Sequence, residues 1–259
     1  MPHFDGQVLI VTGGARGIGE AVARAFVKRG GRVVLADVDA GLGRALASEL
    51  GHAAVFQQAD VRDPTDCETT VKRAVAAFGT VDCLVNSAIK MAPGPLTDLA
   101  LEDWRTVIDT GLTGTFLMTQ AFGRWVIAHN RTGAVVNLSS MAGYQPYGAA
   151  GAYSTVKAAV LMLTDHFAIE WARKGIRVNA VAPGHIETPL TAYLKDPAIR
   201  KGRADVTPLG RVGQVDDIVG GILFLLSDEA RYVTATNLVI DGGVTKSIFN
   251  HMPGRTWSV

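Results

Sequence analysis

The segment VLIVTGGARGIG, residues 8–19, joins a run of apolar residues directly to a glycine-rich turn. The run over residues 8–11 has no polar interruption, which is typical of a strand that is buried on both faces. Behind the turn, apolar residues recur at helical spacing over residues 17–29. A strand, a tight glycine turn and a helix in this order predict the first unit of a parallel α/β sheet.

The same alternation continues to the end of the chain. Further short apolar runs predict strands at residues 32–36, 53–57, 83–86, 134–138, 177–180 and 238–240. Between them, helical patterns cover residues 40–50, 64–77, 102–129, 152–173 and 215–226. We therefore predict a doubly wound, seven-stranded parallel α/β sheet of the Rossmann type, with helices on both faces. The longest irregular stretch, residues 183–213, is expected to be a binding loop.

The composition narrows the class of protein. The 259 residues are 48% hydrophobic and 19% charged, with a net charge of +1, which offers no charge field for nucleic acid or an anionic membrane. We expect a single domain over residues 1–259, in which residues 244–259 form a C-terminal extension. Cys67 and Cys83 belong to no cysteine–histidine cluster, so no metal site is predicted. These thiols and a start without a signal peptide indicate a cytoplasmic protein.

The glycine turn is the first candidate ligand site, because ligands of a doubly wound sheet bind beyond the carboxyl ends of its strands. Gly13, Gly17 and Gly19 allow a turn whose N–H groups and following helix N-terminus face a pyrophosphate. Asp37 ends the second predicted strand, where a carboxylate accepts hydrogen bonds from ribose hydroxyls and repels a 2′-phosphate. The pattern predicts NAD as cofactor. The alternatives are Asp37 as a loop cap and Arg16 as a ligand of the 2′-phosphate of NADP.

Two further strand ends carry candidate cofactor contacts. Asp60 and Val61 follow the third predicted strand, where we expect them beside the adenine amino group and the adenine ring. Asn86 ends the fourth strand and fits either a place beside the cofactor or a structural cap of the strand.

A serine, a tyrosine and a lysine indicate proton-transfer chemistry. Ser140 lies just past the fifth predicted strand, and Tyr153 and Lys157 are four residues apart on one face of the next helix. A tyrosine with a pKa near 10 is a poor base at neutral pH, whereas a nearby positive charge favours its phenolate. We predict that Lys157 and the charge of an oxidised nicotinamide together lower the pKa of Tyr153 toward neutrality, so that Tyr153 serves as general acid/base. Ser140 is predicted to hold the substrate oxygen beside the phenol.

In their order and spacing, these motifs resemble the short-chain dehydrogenase/reductase family in its compact, single-domain form. The resemblance runs from Gln7 to about Gly243 and rests on TGGARGIG (12–19), Asp60, NSA (86–88), Ser140, YSTVK (153–157), NAVAPGHIET (179–188) and DGG (241–243). It implies hydride transfer between a nicotinamide cofactor and a secondary alcohol/ketone pair, with Ser140, Tyr153 and Lys157 as catalytic residues. It also implies a homotetramer with the helices at 102–129 and 152–173 in one interface.

The resemblance extends the cofactor site beyond the residues already discussed. It implies that Lys157 binds the nicotinamide ribose, and that Ile186 and Thr188 meet the carboxamide. The complete predicted cofactor site is Gly13, Arg16, Gly17, Ile18, Gly19, Asp37, Asp60, Val61, Asn86, Ser87, Ala88, Tyr153, Lys157, Pro183, Gly184, Ile186 and Thr188.

Two positions depart from the family pattern. This chain has Gly111 where the family usually has an asparagine, and Ile89 replaces a glycine beside the cofactor. In the family, the backbone carbonyl of that asparagine binds a water that links the active-site lysine to solvent. We predict that the Gly111 carbonyl keeps this relay and count Gly111 among the catalytic residues. The alternative is that Gly111 only allows close helix packing.

The sequence leaves the substrate open between two classes. The candidate substrate contacts are Lys90, Gln145, Tyr147, His185 and Tyr193. Lys90 and His185 would meet a carboxylate, which suits a hydroxy acid, a sugar acid or a small polyol. Tyr144, Tyr147 and nearby methionines would equally wall an apolar pocket for a cyclic ketone or a steroid.

Two alternatives remain beside these predictions. A non-catalytic, dinucleotide-binding sensor or scaffold is the hypothesis from a different class; the intact Ser140, Tyr153 and Lys157 argue against it, and Gly111 argues for it. In the C-terminal extension, His251, Arg255 and Trp257 either reach a neighbouring subunit or belong to a disordered tail.

Overall fold

The computed structural model describes residues 3–247 and residue 251. Seven parallel strands form one sheet in the order β3-β2-β1-β4-β5-β6-β7, which confirms the predicted doubly wound α/β sheet. The strands are β1 (Val8–Thr12), β2 (Arg32–Asp37), β3 (Ala54–Gln58), β4 (Cys83–Asn86), β5 (Gly133–Leu138), β6 (Ile176–Pro183) and β7 (Asn237–Ile240). The helices are α1 (Gly17–Val27), α2 (Ala40–Leu50), α3 (Pro64–Phe78), α4 (Leu101–Ile108), α5 (Gly114–Ala128), α6 (Tyr153–Trp171), α7 (Pro197–Asp205) and α8 (Val215–Leu226).

The sheet is buried on both faces, which explains why its strands are apolar throughout. In β1, Leu9 and Val11 belong to a core with residues of α1, α2 and α8. Val8 and Ile10 point to the opposite face and pack with α3, α5 and α6. Because successive side chains of a strand point to opposite faces, both sets of positions must be apolar when helices cover both sides.

The strand order creates a crevice at one edge of the sheet. β1 pairs with β2 on one side and with β4 on the other, so the chain reverses its direction of winding at β1. The connections that leave the carboxyl ends of β1 and β4 therefore diverge. A ligand site is expected in the space between them.

The helix predicted at 102–129 is present as a continuous helical segment from Leu101 to Ala128. One wider π-helical turn, Asp109–Thr113, separates α4 from α5 within it. The turn contains Gly111, and Gly114 opens the following helix against the side chain of Val61. A single wide turn shifts the helical period by only one residue, so the apolar pattern continues across it and does not reveal it.

The prediction that residues 183–213 are irregular is wrong for part of this stretch. It contains a short 3₁₀ helix, Pro189–Lys195, and then α7. Asp196 caps α7 by accepting from the N–H groups of Ala198 and Ile199, and Pro197 occupies the first helical position. No residue of α7 is buried, so the helix has no apolar stripe from which its sequence could have predicted it.

Only the start of the predicted C-terminal extension belongs to the described residues. Val244–Lys246 forms a 3₁₀ turn, and Nε2 of His251 lies 3.2 Å from the carbonyl oxygen of Val206 in the same chain. Arg255 and Trp257 lie outside the described residues. Over residues 3–247 and 251, no helix combines the length and apolar character needed to cross a membrane, and no group of three or more acidic, histidine or cysteine side chains is arranged to hold a metal ion.

Candidate active site

An elongated cleft of about 570 Å³ lies at the carboxyl edge of the sheet. It collects most of the predicted site: Gly13, Arg16, Gly17, Ile18, Asp37, Asp60, Val61, Ser87, Ala88, Lys90, Ser140, Tyr153, Lys157, Pro183, Gly184, Ile186 and Thr188. Sequence reasoning missed other lining residues, namely Val38, Arg62, Thr110, Pro189 and Thr191. Four of these residues directly follow or precede a predicted residue in the chain, and Thr191 lies three positions after Thr188. Their position next to predicted residues is the feature of the sequence from which they could have been predicted.

The glycine turn forms one wall of the cleft. Gly17 begins α1 with a φ of +61°, a left-handed conformation that favours glycine, and its open side faces Thr188 and Pro189. A Cβ on Gly13 would lie 3.0 Å from the backbone of Ala88, so the turn packs tightly against the loop after β4. Gly19 does not line the cleft; a Cβ there would collide with the Gly13 carbonyl. The turn thus leaves room for a phosphate at the N-terminus of α1.

Asp37 lies at the other end of this wall. Its carboxylate is buried, and Oδ2 accepts a hydrogen bond of 3.0 Å from the N–H of Ala15 in the glycine turn. Oδ1 accepts one of 3.0 Å from the N–H of Asp39. Each carboxylate oxygen can accept more than one hydrogen bond, so Asp37 can still bind hydroxyl groups in the cleft.

Asp60 lies beside two cations. Hydrogen bonds from Arg62 lower the pKa of Asp60, against the opposing effect of burial, and the charge of Lys90 lowers it further. Lys90 therefore lies near Asp60. The sequence had suggested Lys90 as a substrate contact, but this position is on the side of the cleft predicted for adenine.

Asn86 and its two successors have different places. The Asn86 amide is buried in the sheet edge and donates hydrogen bonds of 2.8 Å to Thr119 Oγ1 and to Asn137 Oδ1. Thr12 Oγ1 accepts from the N–H groups of Ser87 and Ala88, which line the cleft. The Asn86 side chain therefore fits the structural role that was the alternative to a cofactor contact. Ser87 and Ala88, by contrast, face the cleft.

Ser140, Tyr153 and Lys157 meet at the deep end of the cleft. The Ser140 side chain is a hydrogen-bond partner near enough to the Tyr153 phenol to lower its pKa. The Lys157 ammonium lies 5.6 Å from the centre of the Tyr153 ring and donates to the Leu138 carbonyl at 2.6 Å. Ser140 Oγ also accepts from the N–H of Ala142, which fixes its orientation.

Burial dominates the pKa values of the tyrosine and the lysine. It raises the pKa of Tyr153 to about 12, although the hydrogen bond with Ser140 opposes the rise. It lowers the pKa of Lys157 to about 8. Burial favours the neutral form of both groups, because a charge is less stable in a medium of low polarity. These directions hold for the chain without cofactor, and the combined effect of Lys157 and an oxidised nicotinamide on the pKa of Tyr153 stays a prediction.

The other predicted substrate contacts lie outside the cleft. Tyr147 and Tyr193 are half-exposed and close enough to Tyr153 to raise its pKa. Gln145 donates a hydrogen bond of 2.8 Å to the Thr245 carbonyl, so its amide holds the C-terminal segment. His185 lines a separate cavity of about 130 Å³.

His185 is a weak candidate for binding an anion. Burial, and secondly the charge of Arg203, lower its pKa to about 4. The imidazole is therefore neutral at neutral pH. It offers one N–H hydrogen bond and no charge to a carboxylate.

The two departures from the family pattern meet in space. A Cβ on Gly111 would lie 2.5 Å from Cδ1 of Ile89 and 2.7 Å from Cγ1 of Val156. Gly111 is buried among these apolar side chains, and its neighbour Thr110 lines the cleft instead. The Gly111 carbonyl accepts a hydrogen bond of 2.8 Å from Thr115 Oγ1. This environment fits the alternative that Gly111 allows close packing of its helix. The proton relay through the Gly111 carbonyl and a bound water stays a prediction.

A sheet with a glycine turn and a Ser–Tyr–Lys group at its carboxyl edge defines a dinucleotide-dependent oxidoreductase. Comparison with known families agrees with this class: the family described as enoyl-(acyl carrier protein) reductase matches residues 13–245. The chain belongs to the short-chain dehydrogenase/reductase family, whose members bind a nicotinamide cofactor. It is an oxidoreductase of the secondary alcohol/ketone type.

Several relatives span nearly the full chain. The chain is 41% identical to the cis-4-hydroxycyclohexanecarboxylate dehydrogenase of Sinomonas cyclohexanicum, over 93% of this chain and 98% of the relative. It is 35% identical to the sorbitol dehydrogenase of Cereibacter sphaeroides, with the same two coverages of 93% and 98%. The solved structure of a short-chain type dehydrogenase/reductase from Mycobacterium ulcerans has a TM-score of 0.90 at 29% identity, covering 94% of this chain and 91% of that one.

We predict that Gly111 and Ile89 are energetically coupled. Gly111→Ala should lower the free energy of unfolding by about 1–3 kcal/mol, because its methyl group meets Ile89 and Val156. Ile89→Ala removes one of these obstacles, so the double variant should lose less than the sum of the two single losses, by about 0.5–3 kcal/mol. Urea unfolding at one fixed protein concentration measures all four proteins.

Gly220→Ala is the matched control for this cycle. Gly220 lies in α8, and a methyl group added there would have no atom within 4 Å, so alanine should stabilise the helix by up to about 1 kcal/mol. A Gly111→Ala protein as stable as the original, or losses that simply add, would contradict the packing assigned to Gly111.

We also predict that the phenol of Tyr153 stays protonated up to at least pH 10 in the cofactor-free protein, because burial raises its pKa to about 12. Ultraviolet titrations of the original protein and of Tyr153→Phe should therefore coincide from pH 7 to pH 10. A Tyr153 signal below pH 9 would contradict the prediction.

Proposed function

We propose that this protein is an NAD-dependent dehydrogenase of secondary alcohols, with Tyr153 as general acid/base. The observation that carries the proposal is that Ser140, Tyr153 and Lys157 line the same cleft as the glycine turn and Asp37, with the Lys157 ammonium 5.6 Å from the centre of the Tyr153 ring. The bound nicotinamide would accept a hydride from the alcohol carbon, or donate one to the ketone in the reverse direction. The chain's own residues have to bind the substrate oxygen and move its proton.

Each of the three catalytic residues has a distinct task in this proposal. In oxidation, Tyr153 first loses its own proton to solvent and, as the phenolate, takes the hydroxyl proton of the alcohol; in reduction, the neutral phenol gives its proton to the ketone oxygen. Ser140 donates a hydrogen bond that orients the reacting oxygen beside that phenol. Lys157 uses one of its three N–H donors on the Leu138 carbonyl, which leaves two donors for ribose hydroxyls and for water.

The residues of the cleft fit a dinucleotide. The open side of Gly17 and the start of α1 suit a pyrophosphate, and a volume of about 570 Å³ is in the range of small-molecule sites. Asp37 supports NAD over NADP, because its carboxylate would repel a 2′-phosphate and accept from ribose hydroxyls. Arg16 lines the same cleft. If Asp37 did not determine the choice of cofactor, Arg16 would be the residue that binds the 2′-phosphate of NADP.

For the substrate we propose a polar alcohol: a hydroxy acid, a sugar acid or a polyol. Names of the relatives support this range, since one is a hydroxycyclohexanecarboxylate dehydrogenase and another a sorbitol dehydrogenase. The reduction of apolar cyclic ketones or steroids is the second candidate. Other relatives, the 3-alpha-(or 20-beta)-hydroxysteroid dehydrogenases of Mycobacterium, favour it at 36% identity.

We further propose a cytoplasmic homotetramer in which α5 and α6 form one interface. The outward faces of these helices carry exposed apolar side chains, including Phe116 on α5 and, on α6, Met162 at 60% and Ile169 at 75% exposure. Adjacent exposed apolar residues on helices often mark an interface between subunits. The two buried free thiols, Cys67 and Cys83, fit a reducing compartment.

The direct test follows NADH formation from NAD and a panel of hydroxy acids, sugar acids, polyols, cyclic alcohols and steroids. We expect turnover of at least one class, and Tyr153→Phe should lower kcat by about 10²- to 10⁴-fold while NAD still binds. NAD binding without turnover of any panel member would favour the non-catalytic sensor instead.

The cofactor is tested in parallel with NADP and with Asp37→Asn. This variant keeps an oxygen for the Ala15 N–H but loses the charge, so kcat/KM for NAD should fall by about 10- to 100-fold and that for NADP should not fall. Asp39→Asn is the control, because Asp39 caps α2 through the Leu42 N–H. A preference of the original protein for NADP would contradict the assignment of Asp37.

The assembly is tested by sedimentation. We expect a tetramer, and Met162→Glu with Ile169→Glu should dissociate it, because two charges would be buried in the interface. Leu42→Glu is a control on α2, where Leu42 is 46% exposed and lies outside the proposed interface. A monomeric original protein would contradict the proposed tetramer.

A further inference from the structure

The segment between Ser140 and Tyr153 is attached to the rest of the molecule at a few points. Ser140 and Tyr153 themselves line the cleft, so this segment, residues 141–152, borders its reacting end; we call it the catalytic loop. Every residue from 144 to 149 is exposed to solvent, and no helix or strand passes through them. A segment with so little buried surface keeps its position mainly through the hydrogen bonds that it makes.

Backbone hydrogen bonds hold the two flanks of the catalytic loop. Near its start, the Met141 carbonyl accepts from the N–H of Gln145 at 3.0 Å. Near its end, the N–H of Gly94 donates to the Ala149 carbonyl at 2.9 Å. The first of these bonds lies within the loop itself, so it shapes the loop without attaching it to another element. Attachment of the exposed first half therefore has to come from a side chain.

Gln145 provides this attachment. Its Nε2 donates a hydrogen bond of 2.8 Å to the carbonyl of Thr245, which lies 100 positions further along the chain. A carbonyl oxygen only accepts, so the amide nitrogen and not the amide oxygen is the group that matches it. Within residues 3–247 and 251, no other side chain of residues 144–149 forms a hydrogen bond.

Thr245 belongs to a turn that Asp241 holds in shape; we call residues 241–245 the C-terminal turn. Asp241 Oδ1 accepts from the N–H of Gly243 at 2.8 Å, and Oδ2 accepts from the N–H of Thr245 at 2.7 Å. Gly242 and Gly243 have φ values of +65° and +95°, a left-handed conformation that favours glycine. The Thr245 carbonyl is therefore presented to Gln145 by a turn of defined shape.

The C-terminal turn also lies directly against one wall of the cleft. Gly184 lines the cleft, and its N–H donates to the Ile240 carbonyl at 3.0 Å. A Cβ on Gly184 would lie 2.6 Å from Cα of Asp241, so the two backbones meet with no space for a side chain. On a further side, the N–H of Leu209 donates to the Gly242 carbonyl at 3.2 Å. The turn thus lies between the catalytic loop and a wall predicted to bind the cofactor.

We propose that Gln145 is a positioning residue: its amide fixes the catalytic loop to the C-terminal turn and so sets where the loop lies relative to the Gly184 wall of the cleft. The role rests on the proposed dehydrogenase activity and adds a residue that acts without touching the substrate. It replaces the substrate contact that the sequence suggested for Gln145, because the amide holds Thr245 and Gln145 does not line the cleft.

The consequence falls on substrate binding. Without the Gln145 bond, the exposed part of the loop samples several positions, and an alcohol binds productively only when the loop is in place. The apparent affinity for the alcohol falls with the fraction of molecules in that state, whereas the bound complex, once formed, reacts as before. The predicted cofactor contacts at the glycine turn and Asp37 lie elsewhere in the cleft. KM for the alcohol should therefore rise, and NADH binding should not change.

The experiment changes the donor at position 145. Gln145→Met has a side chain of similar length without an N–H, and it should raise KM for the best alcohol of the panel by about 3- to 10-fold, as expected for one hydrogen bond, with kcat within about twofold. Gln145→Lys keeps N–H donors at the end of a flexible chain and should bring KM back to within about twofold of the original value. The dissociation constant of NADH, followed by its fluorescence, should be the same in all three proteins.

Gln57→Met is the matched control. Gln57 Nε2 donates to a carbonyl at 2.9 Å, as Gln145 does, but the acceptor is the neighbouring residue, Gln58, so this bond ties no two elements together. Gln57 lies on β3 and does not line the cleft. The same exchange of glutamine for methionine should leave KM within about twofold at this position.

A second readout needs no substrate. Hydrogen exchange of the cofactor-free protein, measured by mass spectrometry, reports how often a segment opens. Peptides within residues 141–152 should exchange faster in Gln145→Met than in the original protein and should return toward the original rate in Gln145→Lys. Peptides from α2 provide the reference and should not change.

The outcomes separate the two proposals. A KM that is unchanged in Gln145→Met, or that rises as much in Gln57→Met, overturns the positioning role and leaves the dehydrogenase intact. The same conclusion follows if Gln145→Lys behaves like Gln145→Met, or if Gln145→Met does not speed exchange over residues 141–152. If the original protein oxidises no alcohol of the panel with either nicotinamide, the proposed activity fails, and the positioning role fails with it even where exchange shows that Gln145 holds the loop.

Discussion

The active site depends on one close junction, where the first turns of α6 lie against the end of β5. The Lys157 ammonium donates to the Leu138 carbonyl at 2.6 Å, and Ser139 Oγ donates to the Lys157 carbonyl at 2.7 Å. Both bonds are buried, so breaking either would leave a polar group without a partner. Ser140 comes from the strand end and Tyr153 from the start of the helix. The junction is what brings their side chains together in the cleft.

The same burial that secures the junction also sets the resting protonation of the site. It raises the pKa of Tyr153 to about 12 and lowers the pKa of Lys157 to about 8, which favours a neutral phenol beside an ammonium that is easily deprotonated. A pair in this state has its proton on the phenol, as a general acid requires. The reverse task, accepting a proton from an alcohol, needs additional positive charge near the phenol.

The fold followed from the sequence because a sheet covered on both faces needs apolar residues at every strand position, and that pattern is visible without any partner. The sequence also predicted that Ser140, Tyr153 and Lys157 lie together, since each of them is close to a strand end or a helix start. It did not predict the π-helical turn at Asp109–Thr113, where Gly111 packs against Ile89 and Val156, because these contacts join residues that are far apart in the chain. It did not predict α7, which buries no residue and is marked at its start by the Asp196 cap rather than by an apolar stripe.

The fold constrains the residues proposed for the reaction more strongly than the residues proposed to contact the substrate. Lys157 and Ser140 are buried and hydrogen-bonded to the backbone, so replacing them disturbs the packing around the cleft. Tyr147 and Tyr193 are half-exposed, and substitutions at such positions usually change stability by less than about 0.5 kcal/mol. Relatives that cover nearly the whole chain can therefore carry names as different as sorbitol dehydrogenase and cis-4-hydroxycyclohexanecarboxylate dehydrogenase. A motif shared across the family identifies the reaction, whereas the substrate has to be inferred from the exposed residues around it, one position at a time.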